Sequence, residues 1–362
     1  MALPPVRSCY PSRAAVADHL MRTTSLPSLG WDCSVLTLGG GGIGAVWGAT
    51  TREECIATVR AAVFQHGVTH LDVAAMYGAD REAERVVGLA FCGDLPPAVK
   101  ITTKCALGRR PAGECYAFLQ RSLNKSLAMM RLQSIDLFIL HSHIVPDDLG
   151  IEAAQSHTPW TLYREGFIPA VERLKSEGLI KAWGITGIGM PNTVIQALST
   201  TPRPAACQCI ANCLQSAGSM AWWEHPTKGA GSGSLHQAQA SFLDVISAAK
   251  ENGVAVLGIR AVQAGALTDQ IDRDSSSKTT METKDFERAA PLRAIAAERG
   301  VSTAFLAHQY SLSMGVDSVI LGVKNRTELA ECVAAANATP LSAGEMQRID
   351  GDLSSRQRLP KL

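Results

Sequence analysis

The sequence predicts an α/β protein of the (β/α)8 TIM barrel class, with long loops at the carboxyl ends of the strands. Strand-like and helix-like segments alternate along the 362 residues. Eight apolar runs are short enough to be strands buried in a parallel sheet. Eight strand–helix units in one chain of this length are typical of a closed barrel rather than of an open doubly wound sheet.

The predicted strands lie at 34–38, 68–72, 98–103, 135–140, 179–185, 205–210, 254–259 and 317–321. Helical patterns fill the intervals between them. Thr51 and Glu54 have the spacing of a capping box, and the helix that they open ends at Gly67. One further helix ends at Gly178, and others are predicted at 81–91, 114–131, 190–199, 237–250, 284–299, 302–313, 325–336 and 342–353.

Two kinds of segment depart from this alternation. Residues 1–30 are expected to form an irregular N-terminal extension, which leaves 31–362 as a single barrel domain. Residues 214–236 and 268–283 are rich in Gly, Ser and Thr, and each segment follows a predicted strand. Long loops at the carboxyl ends of barrel strands usually shape or cover the active site, so we expect these two loops to do so.

The composition limits the classes of function. Lys and Arg number 34 against 33 Asp and Glu, and no basic stripe indicates a nucleic-acid partner. The sequence contains no apolar run of about eighteen residues and no secretory signal pattern, so we expect a cytoplasmic protein without a membrane partner. The ten cysteines include no C-x-x-C pair, and no metal site is predicted. Small molecules are the expected partners of a monomer or small homo-oligomer.

The segment LGGGGIGAVWG (38–48) contains a G-x-G-x-x-G spacing of the kind found in dinucleotide-binding loops. That fingerprint requires a helix to open within the motif and an acid about twenty residues further on. Here the predicted helix opens only at Thr51, and Asp72 lies 28 positions after Gly44. We therefore predict a flexible turn after the first strand, with glycines that let the backbone pass close to the pocket.

Four polar side chains follow the predicted strands. Asp72 closes the second strand and Tyr77 follows it, while Lys104 closes the third strand and His141 the fourth. In a barrel, the carboxyl ends of adjacent strands converge on one mouth. Each residue alone also has a common structural explanation, such as a turn cap, half-buried packing or a satisfied core histidine. Their joint position predicts a catalytic site.

Several linked segments resemble the aldo-keto reductase superfamily, in order and over residues 33–340. They are HLDVAAMYGADREAERVVGLA, ITTK, IDLFILH, EGLIKAWGITG, GALT and ILGVKNRTELAE. The glycine-rich start, LDVAAMYG and GIRAVQAGAL are most similar to the branch that contains L-galactose, L-fucose, D-threo-aldose and pyridoxal dehydrogenases.

The resemblance implies an NAD(P)-dependent oxidoreductase that moves hydride between a nicotinamide and a carbonyl or alcohol. The substrate would be a small sugar, a lactol, a pyridoxal-like molecule or a specialised metabolite. Tyr77 would give or take the proton, beside a Lys104 that Asp72 holds charged, while His141 would orient the substrate oxygen. Two alternatives stay open: a cofactor-binding regulatory protein with little turnover, and an isomerase-like biosynthetic enzyme that retains its cofactor.

The resemblance also implies the cofactor-binding positions. They are Thr186, Gly187, Gln208, Arg260, Gly265, Leu267, Gly322, Lys324, Arg326, Glu328 and Cys332. Glu328 stands where NADP-specific relatives commonly have an arginine. A carboxylate is unfavourable beside a 2′-phosphate and can instead accept from a ribose hydroxyl, so NAD is expected over NADP.

Strand-end loops supply candidates for the substrate side of the site. They are Trp47, Met76, Cys105, His143, Trp222 and Trp223. A tryptophan there can stack on a sugar or an aromatic ring, and core packing or loop anchoring explains it equally well.

Overall fold

The fold is seen in a computed structural model that describes residues 21–149, 157–221, 238–271 and 281–357. In these ranges the strands are β1 (Thr23–Leu26), β2 (Trp31–Ser34), β3 (Leu36–Gly39), β4 (His70–Asp72), β5 (Lys100–Cys105), β6 (Ile135–Leu140), β7 (His143–Val145), β8 (His157–Pro159), β9 (Ile180–Thr186), β10 (Ala206–Ile210), β11 (Ala255–Ile259) and β12 (Ser318–Leu321).

The helices of the same ranges surround the sheet or connect its strands. They are α1 (Gly40–Ile43), α2 (Arg52–Phe64), α3 (Glu82–Phe91), α4 (Cys115–Met130), α5 (Trp160–Leu162), α6 (Ile168–Ser176), α7 (Pro191–Ser199), α8 (Phe242–Glu251), α9 (Met281–Arg288), α10 (Ala290–Glu298), α11 (Thr303–Ser313), α12 (Arg326–Asn337) and α13 (Ala343–Gln357). A π-helical turn (Tyr163–Phe167) joins α5 to α6. None of these helices is long and apolar enough to span a bilayer.

A closed barrel forms from the parallel strands β3, β4, β5, β6, β9, β10, β11 and β12, in that order. Strand β12 closes the ring by pairing with β3, where Leu321 lies opposite Leu38. Every residue of β6 is buried, because the barrel interior lies on one face of the strand and the helices cover the other. The predicted fold class is confirmed, and all eight predicted barrel strands overlap observed ones to within two residues at each end.

The hairpin of β1 and β2 closes the barrel at the amino ends of its strands. Leu26 and Cys33 are 1% and 0% exposed and pack with apolar side chains from inside the barrel, including Leu137 and Leu257. The described part of the predicted irregular extension therefore contains a strand. Its reason is tertiary, because the apolar side chains of this short hairpin are buried only against the barrel.

The glycine-rich segment after β3 forms the short helix α1, and all four residues of that helix are buried. A Cβ atom at Gly42 would lie 1.9 Å from the carbonyl oxygen of Val323, and one at Gly40 would lie 2.9 Å from the ring of Tyr77. The predicted turn is therefore a short buried helix, and its glycines pass close to the cavity as expected. Glycine is required at these two positions because the backbone packs directly against the loop that follows β12 and against the ring of Tyr77.

A second difference concerns the helix predicted at 284–299. The structure has two helices there, α9 and α10, separated at Ala289. Pro291 lies in the first turn of α10, where its missing N–H costs nothing. In the middle of one continuous helix, the same proline would remove a hydrogen bond and clash with the preceding turn.

Candidate active site

The carboxyl ends of β4 and β5 bring three of the predicted catalytic side chains together. Lys104 Nζ donates hydrogen bonds to the Asp72 carboxylate, to the carbonyl oxygen of Val73 at 3.0 Å and to the Tyr77 hydroxyl at 3.2 Å. The side chains of Lys104 and Asp72 are 0% and 2% exposed. The ammonium group of this buried ion pair therefore donates one of its three hydrogen bonds to a phenol.

Strand register explains why these side chains meet. Asp72 lies opposite Thr102 in the parallel pair β4 and β5, and Lys104 is two residues further along β5. Side chains two residues apart on a strand point to the same face, so Lys104 also faces the barrel interior. Gln208 approaches from β10 and donates from Nε2 to Asp72 Oδ2 at 2.6 Å. Both carboxylate oxygens of Asp72 are thus held.

His141 completes the group from the end of β6. Its ring lies 5.5 Å from the Tyr77 ring, centroid to centroid, at an interplanar angle of 89°. Its backbone N–H donates to the carbonyl oxygen of Cys105 at 2.9 Å, which holds the segment after β6 against β5. Tyr77, His141 and Asp72 line a cavity of about 540 Å³, while Lys104 lies behind them.

Burial and charge set the protonation of these groups. Burial raises the pKa of the Tyr77 phenol, and the Lys104 ammonium offsets part of that rise. Burial disfavours the ammonium form of Lys104, but Asp72 and Tyr77 outweigh this effect and raise the lysine pKa. Burial also lowers the pKa of His141 well below its usual value, and the Lys104 charge lowers it further. At neutral pH the site therefore holds a phenol, an ammonium and a neutral imidazole.

The cavity extends from this group along the carboxyl ends of the strands to helix α12. Predicted site residues that line it are Trp47, Asp72, Met76, Tyr77, His141, Thr186, Gln208, Arg260, Gly265, Gly322, Lys324, Glu328 and Cys332. Thr186 is 2% exposed, and its hydroxyl has no hydrogen-bond partner within the described ranges. Buried polar atoms are rarely left unpaired, so this hydroxyl favours a ligand with a polar group at that point of the cavity.

Several predicted site residues lie away from the cavity lining. Cys105 and Leu267 are buried in apolar clusters on the outer side of the barrel wall. His143 lies in β7 with its ring 5.5 Å from that of His157. Arg326 is on the surface, where its guanidinium pairs with Glu54 at 2.9 Å.

Three predicted positions remain, which are Gly187, Trp222 and Trp223. Gly187 follows β9, and its backbone N–H donates to the carbonyl oxygen of Gln208 at 2.8 Å. This glycine belongs to the barrel wall rather than to the lining. Trp222 and Trp223 fall outside the described residues.

The far end of the cavity contains a lysine and a glutamate that hold each other. Lys324 Nζ lies 3.1 Å from Glu328 Oε1, and the Lys324 backbone N–H donates to Glu328 Oε2 at 2.8 Å. Glu328 also occupies the first turn of α12, whose N-cap is Asn325. The glutamate therefore stabilises the start of the helix and offsets the charge of the lysine.

Sequence reasoning missed several residues of the cavity wall. They are Ile188, Met220, Ser302, Glu331 and His308. His308 lies on α11, a helix whose buried residues include polar ones. A polar side chain among the apolar residues of a buried helix is the signal that could have found it.

The fold is a (β/α)8 barrel, and a cavity at the carboxyl ends of its strands is lined by a phenol that a buried lysine–aspartate pair contacts. The family model of the aldo/keto reductase family matches residues 35–352. The chain therefore belongs to the aldo/keto reductase family.

Individual relatives agree with this assignment. L-galactose dehydrogenase of Arabidopsis thaliana is 26% identical over 317 residues, which cover 86% of each chain. Among solved structures, a glycerol dehydrogenase from Gluconobacter oxydans has a TM-score of 0.66 at 18% identity, covering 94% of this chain and 97% of that one. An aldo/keto reductase from Klebsiella pneumoniae, in complex with NADP and acetate, has a TM-score of 0.60 at 21% identity, covering 92% and 95%. At these identities the structural matches show the fold alone.

Proposed function

We propose that this protein is a nicotinamide-dependent oxidoreductase that interconverts a carbonyl and an alcohol of a small molecule, with Tyr77 as the proton donor and acceptor. The observation that carries the proposal is the 3.2 Å hydrogen bond from the buried Lys104 ammonium to the Tyr77 hydroxyl, at the wall of the cavity. A phenol that must release its proton needs such a cation, because the positive charge stabilises the phenolate.

The side chains divide the chemistry among them. Tyr77 gives its proton to the substrate oxygen during reduction and takes it back during oxidation. Asp72 keeps Lys104 charged and in place, since it accepts from the ammonium on one side and from Gln208 on the other. The neutral His141, with its ring edge against Tyr77, orients the substrate oxygen. When bound, the nicotinamide supplies or accepts the hydride.

The cavity fits a dinucleotide. Thr186 has a buried hydroxyl without a partner in the described ranges, and it would hold the carboxamide of the nicotinamide. Gly265 lines the cavity and would contact the pyrophosphate, while Arg260, which also lines it, would lie against the nicotinamide. Lys324 and Glu328 line its far end and would face the ribose of the adenosine. The Klebsiella neighbour, whose structure contains NADP, supports this choice of cofactor class.

Glu328 supports NAD over NADP. Its carboxylate would repel a 2′-phosphate, and it already balances the charge of Lys324 at 3.1 Å. A ribose 2′-hydroxyl could donate to the same carboxylate. We expect a higher kcat/KM with NAD, and we expect Glu328→Gln, which keeps a capping side chain, to move the ratio towards NADP by about tenfold. A strong preference of the unchanged protein for NADP would contradict this argument.

The substrate is proposed as a small polyol, sugar or related carbonyl compound. Support comes from the relatives, since L-galactose dehydrogenase and glycerol dehydrogenase both bear the names of enzymes that act on polyhydroxylated molecules. The lining also includes Trp47 and Met76, whose apolar surfaces suit a ring. A panel of aldoses, glycerol, pyridoxal and aromatic carbonyls, followed by NAD(P)H absorbance in both directions, would identify the class.

The proton role is tested with Tyr77→Phe, which keeps the ring and removes the hydroxyl. We expect kcat to fall by about 10³-fold, within the range for loss of a general acid. Tyr163→Phe is the matched control, because Tyr163 is buried, its hydroxyl has no hydrogen-bond partner in the described part of the chain, and it does not line the cavity. Unchanged hydride transfer in Tyr77→Phe would refute the proposed mechanism.

A further inference from the structure

A histidine and a cysteine face each other in the cavity wall at its far end. His308 comes from α11 and Cys332 from α12, and both residues line the cavity. They are 4% and 2% exposed. The Cys332 sulfur lies 3.5 Å from Nε2 of the His308 ring. Neither residue takes part in the proton transfer proposed for Tyr77.

The backbone of α11 determines which nitrogen of His308 carries the hydrogen. Nδ1 lies 2.7 Å from the carbonyl oxygen of Ala304, one turn earlier in the same helix. A carbonyl oxygen only accepts, so Nδ1 must be the protonated nitrogen. Burial lowers the pKa of His308, which keeps the ring neutral. Nε2 therefore carries a lone pair, and it is turned away from its own helix towards Cys332.

The Cys332 thiol makes only a weak hydrogen bond to this lone pair. Burial raises the pKa of Cys332, so the sulfur keeps its hydrogen and can donate it to Nε2. An S–H group is a weak donor, and a stronger N–H donor from a ligand would replace it. The thiol would then be free to turn towards another acceptor of the same ligand.

Three carboxylates line this end of the cavity, beside the lysine Lys324. Glu331 lines the cavity and accepts from the Ser302 hydroxyl, and Glu328 lines it beside Lys324. Asp269, also in the lining, accepts from Thr303. Because Lys324 and Ser302 already pair with Glu328 and Glu331, a ligand that presents hydrogen-bond donors is favoured here over one that presents carbonyl oxygens.

We propose that Nε2 of His308 accepts a hydrogen bond from the exocyclic amine of the cofactor's adenine, while the Cys332 thiol donates to a neighbouring ring nitrogen. This inference rests on the proposed function, since it takes the ligand to be an adenine dinucleotide. A 6-oxopurine places a carbonyl oxygen where adenine has its amine. Two lone pairs would then face each other in a buried wall, and binding weakens.

The test compares NAD⁺ with nicotinamide hypoxanthine dinucleotide by isothermal titration calorimetry on the full chain. The two molecules share the nicotinamide, both riboses and the pyrophosphate, so the comparison isolates the purine. We expect the unchanged protein to bind NAD⁺ about tenfold more tightly. Equal affinities, or tighter binding of the hypoxanthine analogue, would overturn the proposal.

Variants assign the discrimination to His308. His308→Leu removes the acceptor at similar volume, and we expect it to lose most of the tenfold preference for NAD⁺. Tyr310→Phe is the control on the same helix, because the Tyr310 hydroxyl donates to Asp350 at 2.5 Å away from the cavity lining. It should keep the tenfold ratio. A His308→Leu protein that still discriminates tenfold would contradict the assignment.

Further outcomes separate this inference from the proposed function. If His308→Leu does not fold, His308→Gln, which offers a donor as well as an acceptor, replaces it and should reduce the ratio. If the unchanged protein binds neither dinucleotide nor NADP⁺, the proposed function fails, and this inference with it. If it binds both dinucleotides equally, the proposed function stands and the role of His308 is refuted.

Discussion

Strands β4 and β5 each place two polar side chains inside the barrel, one near the amino end of the strand and one near its carboxyl end. We call the group near the amino ends of the strands the lower layer (Thr37, His70, Thr102, Ser318). In it, His70 makes hydrogen bonds of 3.0 Å to Thr37 and 2.7 Å to Thr102, and Thr37 meets Ser318 at 2.7 Å. All four residues are 0% exposed, and the β1–β2 hairpin covers them with the Trp31 ring 5.1 Å from that of His70.

The group at the carboxyl ends is the upper layer (Asp72, Tyr77, Lys104, Gln208). It lies only two residues further along the same strands, yet it contains an ion pair and adjoins the cavity. The lower layer is neutral, fully paired and closed. Its hydrogen bonds satisfy polar atoms that the barrel has buried, whereas the upper layer leaves a phenol available to a ligand. The comparison teaches that burial alone does not indicate function; charge and access do.

The largest expected effect comes from Lys104→Met, which removes the cation of the upper layer. The Asp72 carboxylate would remain buried without its ion partner, and such a loss costs about 3–5 kcal/mol in the free energy of unfolding. We also expect kcat to fall by about 10²-fold or more, because the Tyr77 phenolate loses its stabilising charge. Urea unfolding and steady-state kinetics measure the two effects.

Two further variants make this result specific. Lys181→Met removes a lysine of β9 whose side chain is 63% exposed and pairs at 2.7 Å with Asp136, which is 10% exposed and also accepts from the Ile101 backbone N–H, so its cost should stay well below that of Lys104→Met, at about 1 kcal/mol. Asp72→Asn combined with Lys104→Met should recover stability without recovering activity. Full activity in Lys104→Met would contradict the claim that the charge of Lys104 gives the upper layer its role.

The next effect is expected from His70→Leu in the lower layer. The change leaves the hydroxyls of Thr37 and Thr102 without their shared partner and should cost about 2–4 kcal/mol of stability. Because the lower layer does not adjoin the cavity, kcat/KM should be unchanged under conditions where the variant is folded. Thermal unfolding and kinetics on the same preparation check both parts. A fall in kcat/KM with intact folding would show that the two layers are coupled.

A smaller effect follows from the protonation of His70. Burial lowers its pKa from 6.5 to about 3, so between these values the unfolded chain binds a proton that the folded chain does not. The free energy of unfolding therefore decreases as the pH falls through this window, by about 2 kcal/mol from this group between pH 7 and pH 5. His70→Leu lacks this contribution, so the stability gap between the two proteins should narrow by that amount. A gap that stays constant would contradict the buried, neutral imidazole.

The smallest effect near neutral pH is expected in the pH dependence of kcat/KM, which the ionisation of Tyr77 controls. The pKa of Tyr77 is raised, so the phenol keeps its proton at neutral pH. Reduction should therefore proceed at a constant kcat/KM through neutrality and decline only above about pH 10. Oxidation needs the phenolate and should speed up as the pH rises. Since burial lowers the pKa of His141, a break between about pH 6 and 7 would contradict its neutral state.

Much of the upper layer could be predicted because its members sit next to recognisable strands. Asp72 ends a predicted strand and Lys104 directly follows one, as does the neighbouring His141, and the ends of barrel strands must converge. The contact between Gln208 and Asp72 spans 136 positions and was not predicted as a pair. Cys105 shows the limit of strand-end reasoning. It neighbours Lys104, so its side chain points to the opposite face, where it packs in the apolar cluster between barrel and helices.

Sequence alone determined the alternation of strands and helices, the barrel that follows from it, and the strand ends at which polar side chains occur. These features depend on local periodicity and on chain connectivity, and both follow directly from the order of the residues. Only the tertiary structure decided which side chains share a cavity wall, as His308 and Cys332 do on two helices. It also decided that Gly42 must be a glycine, because the restricting atom belongs to Val323, far away in sequence. Such contacts depend on how elements pack in space, and no spacing within one element encodes them.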